Sequence, residues 1–151
     1  ALPADVKVGW RTIGVSGSRI SSIADIMADV ILEEQQKKEF DVDMISGLTN
    51  NGIPLATIVS EILEVDFGMV RTSREGTETN YASNYAGIKG KNVILIDDVI
   101  SSGSTMKEAI KFVREQGGTA VLIMALINKR GEDELDNVPL RALIRARPVK
   151  I

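Results

Sequence analysis

The sequence predicts an α/β domain with a mostly parallel sheet flanked by helices. Three observations predict it. Apolar runs alternate with helical patterns along most of the chain. The run Val93–Ile96 is apolar at every position, which suits a strand buried on both faces of a parallel sheet. Two Gly-containing polar loops, 47–52 and 97–105, follow apolar runs, at the strand ends where such sheets collect ligands.

The elements follow in order. Ser22 opens a helix, with Asp25 three residues on as a loose capping box, and Ile23, Ile26, Met27, Val30 and Ile31 at helical spacing. A strand at Val42–Ser46 leads to the loop GLTNNG. The next helix has Pro54 near its first turn, where a missing N–H costs little, and buries Leu55, Ile58, Val59, Ile62 and Leu63. Phe67–Arg71 reads as a strand, and residues 72–91 carry no periodicity. After the strand Val93–Ile96, a helix runs through Met106, Ala109, Ile110 and Val113 until Gly117 and Gly118 stop it. Ala120–Ile127 is another buried strand, and Ala142–Ile144 a short last one.

Composition narrows the chemistry. The chain has 151 residues with no cysteine and no histidine, so thiol nucleophiles, Cys/His zinc sites and Ser-His-Asp triads are excluded. A net charge of −3 argues against nucleic-acid binding by this stretch alone. No apolar run approaches the ~18 residues of a membrane span, no signal pattern opens the chain, and the lack of cysteine accords with a cytoplasmic protein.

The segment VILIDDVISSGST carries the strongest signal. A buried strand delivers Asp97 and Asp98, then a turn of small hydroxyl residues around Gly103 enters a helix. A helix N-terminus offers unpaired N–H groups and partial positive charge; Ser101, Ser102, Ser104 and Thr105 add hydroxyl donors, and Gly103 permits close approach. That suits a phosphate. The carboxylates would repel it, so they suit vicinal hydroxyls or a Mg²⁺ ion. Diol plus phosphate describes a ribose 5-phosphate group. The plainer reading is a turn with an N-cap beside a solvated acid pair. Walker A fails because Ser104 stands where Lys is needed, and no G-x-G-x-x-G is present. A flavodoxin-like phosphate loop would leave Asp97 and Asp98 unexplained.

The 13-residue segment resembles the phosphoribosyl-diphosphate (PRPP) signature of the type I phosphoribosyltransferases. The resemblance implies that Asp97 and Asp98 hold the ribose diol, with Mg²⁺ accompanying PRPP at these carboxylates, and that Ser101, Ser102, Gly103, Ser104 and Thr105 hold the 5-phosphate. It places a pyrophosphate loop at Gly47, Leu48, Thr49, Asn50, Asn51 and Gly52, an Arg for pyrophosphate at Arg71, and a mobile lid, with Arg74, in the polar stretch 72–91. It implies a single domain over 1–151, with a core at about 20–136 and a small hood at about 1–19 and 137–151, and a homodimer.

The pattern also departs from its enzymes. Orotate enzymes carry Lys where Asn51 stands and further Lys and His in the lid; hypoxanthine-type members carry an Asp where Ser101 stands. Fewer cations weaken stabilisation of departing pyrophosphate. GWRTIGVSGSR and NYAGIKGKNVILIDDVISSGST are similar to the orotate-phosphoribosyltransferase-like domain of archaeal transcription regulators. That implies a ligand-sensing domain for PRPP or a related sugar phosphate or nucleotide, touching DNA only through a helix-turn-helix ahead of Ala1. The alternative is an active, Mg-dependent orotate-type phosphoribosyltransferase, with Asp97, Asp98 and Arg71 as catalytic residues. Trp10, Tyr81 and Tyr85 read as packing residues, with base stacking in the hood as the other reading of Trp10, and Arg141, Arg145 and Arg147 as a solvated basic stretch, with contact to a partner or anion as the other reading.

Overall fold

A computed structural model describes residues 16–48, 50–72, 79–81 and 87–147. Helix α1 spans Gly17–Lys38 and begins ahead of the expected Ser22. Its N-cap is Ser16, whose hydroxyl accepts from the Arg19 N–H. Ser22 lies inside the helix, where its hydroxyl donates to the Ser18 carbonyl. A polar residue in mid-helix thus imitated a cap, because the helix continues through GSR without apolar marks. Strand β1 is Met44–Leu48, α2 Gly52–Leu63 and β2 Asp66–Thr72. Within α2, Leu55, Ala56 and Val59 are buried, while Ile62 is 41% exposed, so the inward face is turned away from Ile62.

A short strand β3, Thr79–Tyr81, pairs antiparallel with β2 inside the stretch that showed no periodicity. Strand β4 runs Asn92–Ile100. It passes through both aspartates, where the sequence places the loop 97–105, because Asp97, Val99 and Ile100 keep their register with β5. Helix α3 spans Ser104–Glu115, and β5 spans Thr119–Asn128. The two-residue strand β6, Glu134–Leu135, precedes β7, Val138–Arg145. Charged residues at 141 and 145 hid most of β7 from an apolar-run reading, yet it pairs parallel with β5 over most of its length. It therefore belongs to the main sheet and not to the hood expected at about 137–151.

The sheet order is β3-β2-β1-β4-β5-β7-β6. The five inner strands are parallel, and β3 and β6 are antiparallel edges. Strand β4 explains the apolar run at 93–96. Val93 and Leu95 join the α3 side of the core with Met106, Ile110 and Val113. Ile94 and Ile96 join the α1–α2 side with Met27, Ile31 and Val59. A strand covered on both faces cannot alternate polar and apolar residues. Full burial of each such side chain contributes about 1.5–3 kcal/mol.

After β1 the chain turns toward β2, and after β4 it turns toward β5. The order thus reverses between β1 and β4, which makes their carboxyl ends the switch point where open α/β sheets bind ligands. Among the described residues no helix is long and apolar enough to cross a membrane.

Candidate ligand site at the switch point

Two strand-to-helix turns meet here. The first joins β1 to α2. Gly47 and Leu48 are its last strand residues, and Leu48 is buried, so its side chain faces the core rather than a ligand. Asn50 and Asn51 are exposed, and Asn51 is the N-cap of α2 without a side-chain capping bond. Gly52 is required by contact: a Cβ there would lie 2.2 Å from the Ile96 carbonyl oxygen and 3.0 Å from the Asp97 Cα. The first turn is therefore wedged against the strand that carries the aspartates.

The second turn joins β4 to α3 and encloses a cavity of about 210 Å³ lined by Asp97, Val99, Ile100 and residues 101–106. Gly103 is the N-cap of α3 at φ 83, a left-handed conformation that favours glycine, and it supplies no capping side chain. The first-turn N–H groups of a helix lack intrahelical partners, and Ser104, Thr105 and Met106, the first residues of α3, line the cavity. Ser102 Oγ lies 3.1 Å from Ser104 Oγ and 3.3 Å from the Ser104 nitrogen.

Asp97 lines this cavity, and Asp98 is 7% exposed beside it. The Asp98 N–H donates to Asp97 Oδ1 at 2.8 Å, and the Val99 N–H donates to Asp98 Oδ1 at 2.7 Å. Burial first, then the hydrogen bond and charge of Asp98, push the Asp97 carboxyl up to about 8 from its ordinary 3.8, against the lowering effect of the Asp98 N–H. Groups that favour a carboxylate, such as two ligand hydroxyls or a cation, would relieve that frustration. Among the described residues no group of three or more carboxylates gathers to hold a metal. The acid pair fits a Mg²⁺ that arrives on a ligand's phosphates with its waters, which needs only one or two protein carboxylates.

Of the other expected site residues, Arg71 is exposed in β2, next to β1, one residue past the Leu48–Val70 pair. Thr49, Arg74, Trp10 and Tyr85 lie outside the described residues. Arg141 and Arg145 do not form a solvated basic face: Arg141 is paired with Glu34 and Arg145 with Asp133, across β7. Sequence reasoning missed Arg130. Its guanidinium donates to the Ser102 carbonyl and pairs with Glu132. The available signal was KRGED, a charged turn just after an apolar strand, at the carboxyl end of β5 beside that of β4.

Comparison with known proteins decides the family. The phosphoribosyl transferase domain model matches residues 15–143. The chain belongs to the phosphoribosyl transferase domain family. It is 46% identical over 145 residues to the transcriptional regulator GfcR of Thermoplasma acidophilum, covering 96% of this chain and 73% of that protein. It is 42% identical over 141 residues to GfcR of Picrophilus torridus, covering 93% and 72%. Among solved structures it is similar to the orotate phosphoribosyltransferase of Aeropyrum pernix, at 26% identity and a TM-score of 0.66, over 82% of this chain and 72% of that one. The expected fold and family are thereby shown.

Proposed function

We propose that this phosphoribosyltransferase domain binds PRPP or a related ribose 5-phosphate compound and is the ligand-sensing part of a DNA-binding transcription regulator. One observation carries the binding reading: a cavity whose wall joins an uncapped helix N-terminus, four hydroxyl residues and a carboxylate under frustration. The N–H groups and hydroxyls suit a phosphate, and Asp97 with Asp98 suits a vicinal diol. The regulator reading draws on the relatives named GfcR. DNA contact would come from a helix-turn-helix segment ahead of Ala1, and a homodimer would bring two such segments together.

Calorimetric titration with PRPP and Mg²⁺, and with ribose 5-phosphate, tests the binding. The Asp97→Asn, Asp98→Asn double variant should lose most PRPP affinity; unchanged affinity sinks the assigned site.

A second reading, an active orotate-type enzyme, is favoured by the likeness to the Aeropyrum pernix protein and by Arg71 at the end of β2. In that case Asp97 and Asp98 would hold the ribose while a base nitrogen displaces pyrophosphate at C1, with Mg²⁺ neutralising the leaving group when bound. Asn51, where orotate enzymes carry Lys, favours the sensor. Incubation with PRPP, Mg²⁺ and orotate, uracil or a purine base separates the two: released pyrophosphate establishes the enzyme.

A further inference from the structure

The phosphate turn has support beyond its own residues. Gly103 sits at φ 83, its helix lacks a side-chain cap, and Ser102 Oγ meets Ser104 Oγ at 3.1 Å and the Ser104 nitrogen at 3.3 Å. The support comes from behind, after β5. Arg130 Nη1 donates to the Ser102 carbonyl, while Nη2 pairs with Glu132. A Cβ at Gly103 would meet Arg130 Nη1 at 3.1 Å and Leu135 methyl carbons at 3.2 Å, so the turn rests directly on these two side chains.

Arg130 is itself fixed. Its N–H donates to Asn128 Oδ1 at 2.8 Å, and Asn128 Nδ2 donates to the Glu132 carbonyl at 3.0 Å. Asn128 is fully buried at the end of β5. The Lys129 N–H donates to the Ile100 carbonyl at 2.9 Å, tying the two turns together at their roots. The Arg130 side chain is only 19% exposed, and its Nε is buried.

We propose that Arg130 is a positioning residue: anchored through Asn128, it clamps the Ser102 carbonyl so that the N–H groups after Gly103 converge on the phosphate, and it places a fixed positive charge behind them. The ligand part of this inference rests on the phosphate reading above; the clamp does not. A guanidinium suits the task because its rigid fork serves two acceptors at once, Ser102 O and Glu132, and it stays charged at every accessible pH. Lysine would keep the charge and lose the fork.

The test uses the full chain as wild type, Arg130→Met, Arg130→Lys and, as a core control, Leu140→Ala, which truncates a side chain buried on β7. Ribose 5-phosphate affinity is measured by calorimetry, and amide hydrogen exchange is followed at residues 102–106. Arg130→Met should weaken ribose 5-phosphate binding about tenfold or more and speed exchange at Gly103 to Met106. Arg130→Lys should recover part of both. Leu140→Ala should lose thermal stability yet keep wild-type affinity. Unchanged affinity and exchange in Arg130→Met overturn the clamp, as does a Leu140→Ala chain that weakens binding equally. If Arg130→Met does not fold, Arg130→Lys decides: wild-type exchange and affinity there overturn the proposal. If the wild type does not bind ribose 5-phosphate, the phosphate reading falls, and the exchange data alone still decide the clamp.

Discussion

Glu34 and Asp97 are carboxylates withdrawn from water at different places, and they titrate in opposite directions. Burial pushes Glu34 up, but Lys38 and Arg141 together pull it down further, and it ends below its ordinary 4.5. Its side chain is 5% exposed between the two cations, where α1 meets β7. Among the described residues Asp97 forms no ion pair with a cation; its neighbour is Asp98, and it is raised to about 8. The first carboxylate is satisfied by the fold. The second keeps a raised value beside another carboxylate, the pattern that marks a candidate functional site rather than a structural ion pair.

Removing Arg141 gives the largest expected effect. In Arg141→Met, Glu34 keeps only the half-exposed Lys38, and chemical denaturation should show a loss of about 2–4 kcal/mol. Ribose 5-phosphate affinity should stay close to wild type, since Arg141 lies on β7 away from the turn. A variant that lost affinity with no loss of stability would erase the distinction between the two acids.

Asp97→Asn should act in the reverse sense. It removes a buried carboxylate that resists ionisation, so stability at pH 8 should rise by about 1–2 kcal/mol while ribose 5-phosphate binding falls at least about tenfold. Calorimetric unfolding and titration on the same sample check both halves.

The pH profile sharpens the contrast. Asp97 has a raised folded value, so the unfolded chain binds fewer protons between 3.8 and about 8; its contribution to stability declines as pH climbs through that window and is flat above it. Glu34 has a lowered folded value, so its contribution is present above its ordinary 4.5 and is lost as pH falls below that. Unfolding midpoints from pH 3 to 9 should therefore lose the upper decline in Asp97→Asn and the lower one in Glu34→Gln. Lys38→Met should have the smallest effect, about 0.5–1 kcal/mol, because that ammonium is half in water.

Much of this was legible in the sequence. The alternation of apolar runs and helical spacing gave the α/β class, and VILIDDVISSGST gave the turn that lines the cavity. Less legible were elements whose stability is tertiary. Strand β7 carries Arg141 and Arg145 because ion pairs with Glu34 and Asp133 accept them, so its residues do not form an apolar run. Ser22 resembled a cap because propensity cannot distinguish a mid-helix serine bonded four residues back from one that starts a helix. Arg130 escaped notice because its role depends on a carbonyl 28 residues earlier, which spacing along the chain does not encode.

The sheet order also sets a timetable. Strand β4 lies between β1 and β5, and the Asn92 N–H that starts its pairing meets a carboxylate 49 residues back in sequence. Such distant pairings form slowly and late. A ribosome that has delivered the chain only as far as Thr105 has exposed the whole signature turn but neither β5 nor the arginine behind it. Until about 25 further residues emerge, that turn is an unsupported loop on an open sheet edge. The contact between Arg130 and the Ser102 carbonyl thus forms only once β5 and the turn after it have emerged.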